Sequence, residues 1–163
     1  MKKFLSLCIV FLILFGCYFN SKKTDFYLAF KHLKNCSFSY VLSSKNYIEL
    51  TKNTQNLLIG SKSLKNGTKT MLYYNGYLND NFLNYVEYSQ VCFNGSKKNV
   101  DKILKSFNIK IVKTEKLEQK EILYGYSSFW KNYKLLGDNK INFQFVIDGE
   151  KITIGYPLIY NSF

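Results

Sequence analysis

Ile141-Asn142-Phe143-Gln144-Phe145-Val146-Ile147-Asp148-Gly149-Glu150-Lys151-Ile152-Thr153-Ile154-Gly155-Tyr156-Pro157-Leu158 is the stretch whose reading decides the fold. In its first half Ile141, Phe143, Phe145 and Ile147 alternate with Asn142, Gln144 and Asp148. That is the period-2 pattern of a half-buried strand, apolar on one side and polar on the other. Asp148-Gly149 is the dipeptide of a tight hairpin turn. Ile152, Ile154, Tyr156 and Leu158 carry the period back along a second strand. Pro157, which has no N–H to give to a ladder, marks an edge or a strand end.

Outward from this hairpin, the spacing Val100, Ile103, Leu104, Phe107 (i, i+3, i+4, i+7) predicts a helix over 97–107, with Ser96 after Asn94-Gly95 as its cap. Strands are expected from Ile109 to Leu117 and around Ile122, Tyr124 and Tyr126. Trp130 to Asn139 reads as a connection with a helical turn. Upstream, Phe26, Ala29, Phe30 and Leu33 predict a helix from Thr24, and Ser37 to Leu42 a strand. Ser44 is read as the cap of a second helix that runs to Ile59 and stops at Gly60. Ser61 to Thr68, with Asn66-Gly67, reads as a loop. Strands Thr70–Leu78 and Leu83–Phe93 are joined by Asn79-Asp80-Asn81. Three amphipathic helices against antiparallel strands predict an α+β two-layer sandwich. The element order divides it into two sequential, packed halves, 21–95 and 96–163.

The first twenty residues read differently. Lys2 and Lys3 precede an apolar run from Phe4 to Phe15, the pattern of a signal peptide over residues 1–20. The run is shorter than a spanning helix requires. Leu14-Phe15-Gly16-Cys17 is similar to a lipobox, which makes Cys17 the lipidation candidate. An uncleaved anchor is the alternative, because no pair of small residues stands at −3 and −1 of an ordinary cleavage site. The expected location is extracytoplasmic, anchored or secreted.

The 163 residues carry a formal charge of +12, and all 23 basic residues are Lys. Arg is the side chain that clamps phosphate and reads guanine in a fork. Its absence, together with the export pattern, argues against a nucleic-acid-binding module. What the lysines provide is a diffuse, salt-dependent attraction to polyanions and membrane surfaces.

Catalytic and metal chemistry find little footing. His32 is the only histidine and reads as a structural, partly exposed residue. Glu115, Glu118 and Glu121 stand among Lys113, Lys116 and Lys120, a solvated charged hairpin rather than an acid–base pair. No cofactor motif or metal-ligand spacing is present in the sequence. Cys36 and Cys92 are read as free or buried thiols, with one disulfide as the alternative. The 14 Tyr, 14 Phe and one Trp are the excess in this composition. Most belong to core and rim; Tyr124, Tyr126 and Trp130, with neighbouring lysines, are the ligand-binding candidates.

Several segments resemble the YwmB-like (TATA-box-binding-like) family of exported proteins of low-GC Gram-positive bacteria. They are Val91-Cys92-Phe93-Asn94-Gly95, Ile103-Leu104-Lys105-Ser106-Phe107, Tyr124-Gly125-Tyr126-Ser127, Trp130, Ile141-Asn142-Phe143-Gln144-Phe145 and Ile154-Gly155-Tyr156-Pro157-Leu158-Ile159. Tyr156 departs from the pattern, which has a smaller residue there. The resemblance implies an exported two-part α+β fold and no known activity. The function expected is non-enzymatic binding of an anionic wall polymer, a membrane surface or an envelope protein. A wall- or lipid-modifying enzyme is the alternative.

Overall fold

A computed structural model describes residues 26–43, 60–64, 68–73 and 85–160. One antiparallel sheet of eight strands dominates them, in the order β2-β3-β1-β4-β10-β9-β6-β5. Its strands are β1 (Ser37–Ser43), β2 (Gly60–Leu64), β3 (Lys69–Tyr73), β4 (Tyr88–Asn94), β5 (Lys110–Leu117), β6 (Lys120–Tyr126), β9 (Phe143–Asp148) and β10 (Lys151–Tyr156). A separate two-stranded hairpin, β7 (Lys134–Leu136) and β8 (Asn139–Ile141), turns at Gly137 with φ +59°. Two helices are described: α1 (Phe26–Phe30), a single turn, and α2 (Lys97–Ser106).

This corrects the expected α+β two-layer sandwich: the described chain is mostly antiparallel β. It also replaces two packed halves with one sheet, because β4 pairs with β10 from Asn94↔Lys151 to Ser89↔Tyr156. Segments read as irregular supply part of the difference. Gly60, read as a helix stop, and Ser61–Leu64, read as loop, form edge strand β2, whose partner is β3. The connection after Trp130 contains the β7–β8 hairpin rather than a helical turn. The helix expected over 44–59 and the turn over 79–81 lie outside the described residues.

The inner face of the sheet carries the main core. Phe38 and Tyr40 of β1, Leu72 of β3, Val91 and Phe93 of β4, Ile152 and Ile154 of β10, and Phe143 and Phe145 of β9 are buried there. Val100 and Ile103 of α2 and Phe26 and Phe30 of α1 cover them; Leu104 and Phe107 are half-buried at the margin. The start of α2 follows from local chemistry: Asn99 Oδ1 accepts from the Ser96 N–H (2.9 Å) and from its hydroxyl (3.0 Å), which satisfies donors at the helix start.

The outer face is covered by smaller pieces. Ile122, Tyr124, Val146 and Leu158 meet Leu136 and Ile141 of the hairpin, while Val41 and Met71 meet Tyr160. With both faces covered, Asn142 and Gln144 are buried too, while Asp148 at the end of β9 is exposed. Asn142 is 0% exposed and Gln144 1%, where alternation had predicted a solvent-facing row. Cys36 packs on the inner core, whereas Cys92 alternates with the inward Val91 and Phe93 and so faces outward. Among the described residues no disulfide joins them. Opposite faces of one sheet keep them from pairing, and burial raises the Cys36 thiol's pKa.

Edge strand β5 is exposed along most of its length, with lysines at 110, 113 and 116 and a register shift between Ile111 and Lys113.

Candidate functional site

The two buried amides of the 142–144 segment hold two surface segments in place. Asn142 brackets the turn after β6: its Oδ1 accepts from the Ser127 N–H (2.9 Å), and its Nδ2 donates to the carbonyls of Ser127 (2.7 Å) and Trp130 (3.1 Å). The Ser127 hydroxyl donates to the Phe107 carbonyl at 2.7 Å, which ties the same turn to the end of α2. Gln144 acts on the C-terminal segment: its Oε1 accepts from the Ile159 N–H at 3.0 Å. Gly155 makes room for that return, since a Cβ there would lie 2.3 Å from the Ile159 nitrogen.

Trp130 is where the first bracket enters the core. It is 3% exposed, with ring centroids 4.7 Å from Tyr156, 5.0 Å from Phe143 and 6.0 Å from Phe107. Immediately beyond it the chain emerges. The Asn132 N–H donates to the Tyr156 hydroxyl at 3.0 Å, fixing the height at which Lys131 to Lys134 leave the core. Burial raises the Tyr156 phenol's pKa, so that hydroxyl stays neutral.

The emerging segment forms one wall of an open groove of about 420 Å³. Lys131, Asn132, Tyr133 and Lys134 line that side, and Val86, Glu87, Tyr88 and Pro157 complete it. Cations converge on its aromatic rings. Lys134 Nζ lies 5.7 Å and Lys69 Nζ 5.6 Å from the centroid of Tyr88; Lys69 is also 5.8 Å from the Tyr160 ring, and Lys140 is 4.6 Å from the Tyr133 ring. Tyr88 and Tyr160 stand 5.3 Å apart, centroid to centroid. Glu87 bonds Lys69 at 2.5 Å, and this bond is the chief reason the Lys69 ammonium is held above its ordinary pKa. The groove therefore presents the Lys131 and Lys134 ammonium groups beside ring faces suited to C–H contacts.

The three residues singled out from sequence do not form a platform. Trp130 is in the inner core, and Tyr124, 7% exposed, lies in the outer cluster on the other side of the sheet. The Tyr124 hydroxyl donates to Glu115 Oε2 at 3.0 Å; desolvation first and Glu115 second push its pKa up to about 12. Tyr126 is half-buried at the end of β6, opposite Lys110 in the ladder. His32 is exposed in the turn after α1, and no metal-binding group of His, Cys, Asp and Glu occurs among the described residues. Glu115 and Glu121 each bond a lysine, Lys113 and Lys97 respectively. Cys17 lies outside the described residues.

The sequence reading missed Glu87, Tyr88 and Pro157 as neighbours of Lys131 and Lys134. The available signal was the alternation of Lys and Tyr in Lys131-Asn132-Tyr133-Lys134, directly after the Trp. Compared with family models and with curated proteins, the chain matches none.

Proposed function

We propose that this is an exported, non-enzymatic envelope protein of the YwmB type, which holds an anionic wall polymer in the groove between Tyr88 and the 131–134 segment. The observation that carries the reading is the convergence of Lys134 and Lys69 on one tyrosine ring at the groove wall. An ammonium takes phosphate or carboxylate as a point charge without demanding fixed geometry. Ring faces beside it favour the C–H surface of a sugar or polyol. The volume falls within the usual range for ligand sites, roughly 300–1,000 Å³. Glu87, the carboxylate in the groove, is engaged by Lys69 and is not poised as a base.

The test is retention of the protein on purified cell wall. Retention should fall steeply between 0.1 M and 1 M salt, as the screening length shrinks from about 10 Å to about 3 Å. The double variant Lys131→Gln/Lys134→Gln should lose most of the retention while its unfolding free energy stays within about 0.5 kcal/mol of the parent, since both side chains are exposed. Retention indifferent to both salt and the double variant would sink the proposal, and so would turnover of the wall. Export is tested separately: residues 1–24, fused to a reporter active only outside the cytoplasm, should give signal.

A further inference from the structure

The helical layer on the inner face of the sheet carries a second charged surface. On α2 the inward positions Val100 and Ile103 are buried, which leaves Lys98, Asp101, Lys102 and Lys105 on the exposed arc. The turn after α1 adds Lys31, His32 and Lys34, all exposed. The ring of Phe30 lies 5.2 Å from that of Phe107, which sets this turn beside the C-terminal end of α2. Lys97, at the flank, is engaged by Glu121 at 2.9 Å. Five lysines thus share the helical layer with a single aspartate. They stand along a helix exterior and a turn rather than around a cavity, an arrangement matched to a plane of headgroups.

The chain's own course points the same way. Its described part begins at Phe26, the first residue of α1. The apolar run of residues 4–15 precedes it by ten residues, 16–25. Ten residues span at most about 33–36 Å when fully extended. A run lodged in a bilayer therefore delivers the fold with α1 leading.

We propose that the α1–α2 layer is a membrane-contact surface that docks on anionic lipid headgroups. Each lysine held at an anionic surface adds about fivefold in membrane affinity, so the patch strengthens a weak anchor. The approach of α1 rests on reading residues 4–15 as membrane-entering; the lysine surface rests neither on that nor on the groove's ligand.

The experiment is a lysine acylation footprint of the full chain, read by mass spectrometry. One sample sits on vesicles of equal parts phosphatidylglycerol and phosphatidylcholine, and another on phosphatidylcholine alone. The expected result is several-fold slower acylation of Lys31, Lys34, Lys98, Lys102 and Lys105 on the anionic vesicles, reversed by 1 M salt, with Lys113, Lys116 and Lys120 unchanged. The variant Lys98→Gln/Lys102→Gln/Lys105→Gln should lose the salt-sensitive part of binding. Binding to anionic vesicles alone, with this footprint, would support the surface and refute the anchor. Three outcomes overturn the proposal: equal acylation on the two vesicle types, protection spread over all lysines, or the same footprint produced by a soluble phosphodiester polymer. A groove that fails to hold wall polymer leaves each of these readouts unaffected.

Discussion

The inner face of the sheet is closed by apolar mass and the outer face by hydrogen bonds to backbone. Inside, Phe143 and Phe145 meet a continuous cluster that takes in both helices and Trp130. Outside, the same strand offers Gln144, whose amide holds Ile159 in place, and the apolar clusters there are small. The first arrangement sets how stable the molecule is. The second sets where the surface segments lie, and those segments build the groove. The Gln144 bond thereby sets part of the site geometry from the side of β9 opposite the main core.

Neighbouring residues of β9 offer the sharpest way to break that division. Phe145→Ala should be the costliest change, about 3–5 kcal/mol in chemical denaturation, because it empties a fully buried site in the main cluster. A cost under 1 kcal/mol would show that the inner face does not carry the stability. Gly155→Ala should cost about 1–3 kcal/mol, as its methyl would meet the backbone of Leu158 and Ile159 and lift the C-terminal segment. Wall retention should fall with it, since Pro157 lines the groove.

Gln144→Leu should cost roughly 1–2 kcal/mol by leaving the Ile159 N–H without its acceptor. Hydrogen exchange should show this loss concentrated in residues 158–160, with the inner core still protected. Uniform loss of protection would mean that the two faces are not separable. The smallest effect concerns pH. Tyr124 titrates near 12 in the fold against about 10 unfolded, so the folded state keeps its proton longer. Its contribution is complete below pH 10 and is lost as pH rises toward 12, with each unit worth at most about 1.4 kcal/mol. Tyr124→Phe should flatten the stability curve between pH 10 and 12 relative to the parent.

How much of this was legible in the sequence depended on how local its cause was. The β9–β10 hairpin and helix α2 are written in periodicity and turn chemistry, and the structure places both. Asn142 and Gln144 misled because alternation reports polarity, not what arrives later to cover it. Their cover comes from 127–130 and 157–160, segments with no strong period of their own. Strand β2, Gly60-Ser61-Lys62-Ser63-Leu64, is polar enough to read as loop, yet it needs only β3 as a partner because it is an edge. Trp130 stood out for its rarity, but rarity does not separate a ring that stacks on ligand from one that fills a core. The groove joins 86–88 to 131–134 across the fold, a proximity that no local pattern encodes.

Strand β5 bears on how many copies can share one surface. An exposed sheet edge recruits further strands, and tethering to a membrane would raise the local concentration at which such recruitment occurs. Lysines at 110, 113 and 116 would set like charge against like charge in a second copy laid along this edge in parallel register, and the break in register after Ile111 spoils the straight ladder such a copy would need. Charge and broken register together make this edge a poor template for strand addition by neighbouring copies.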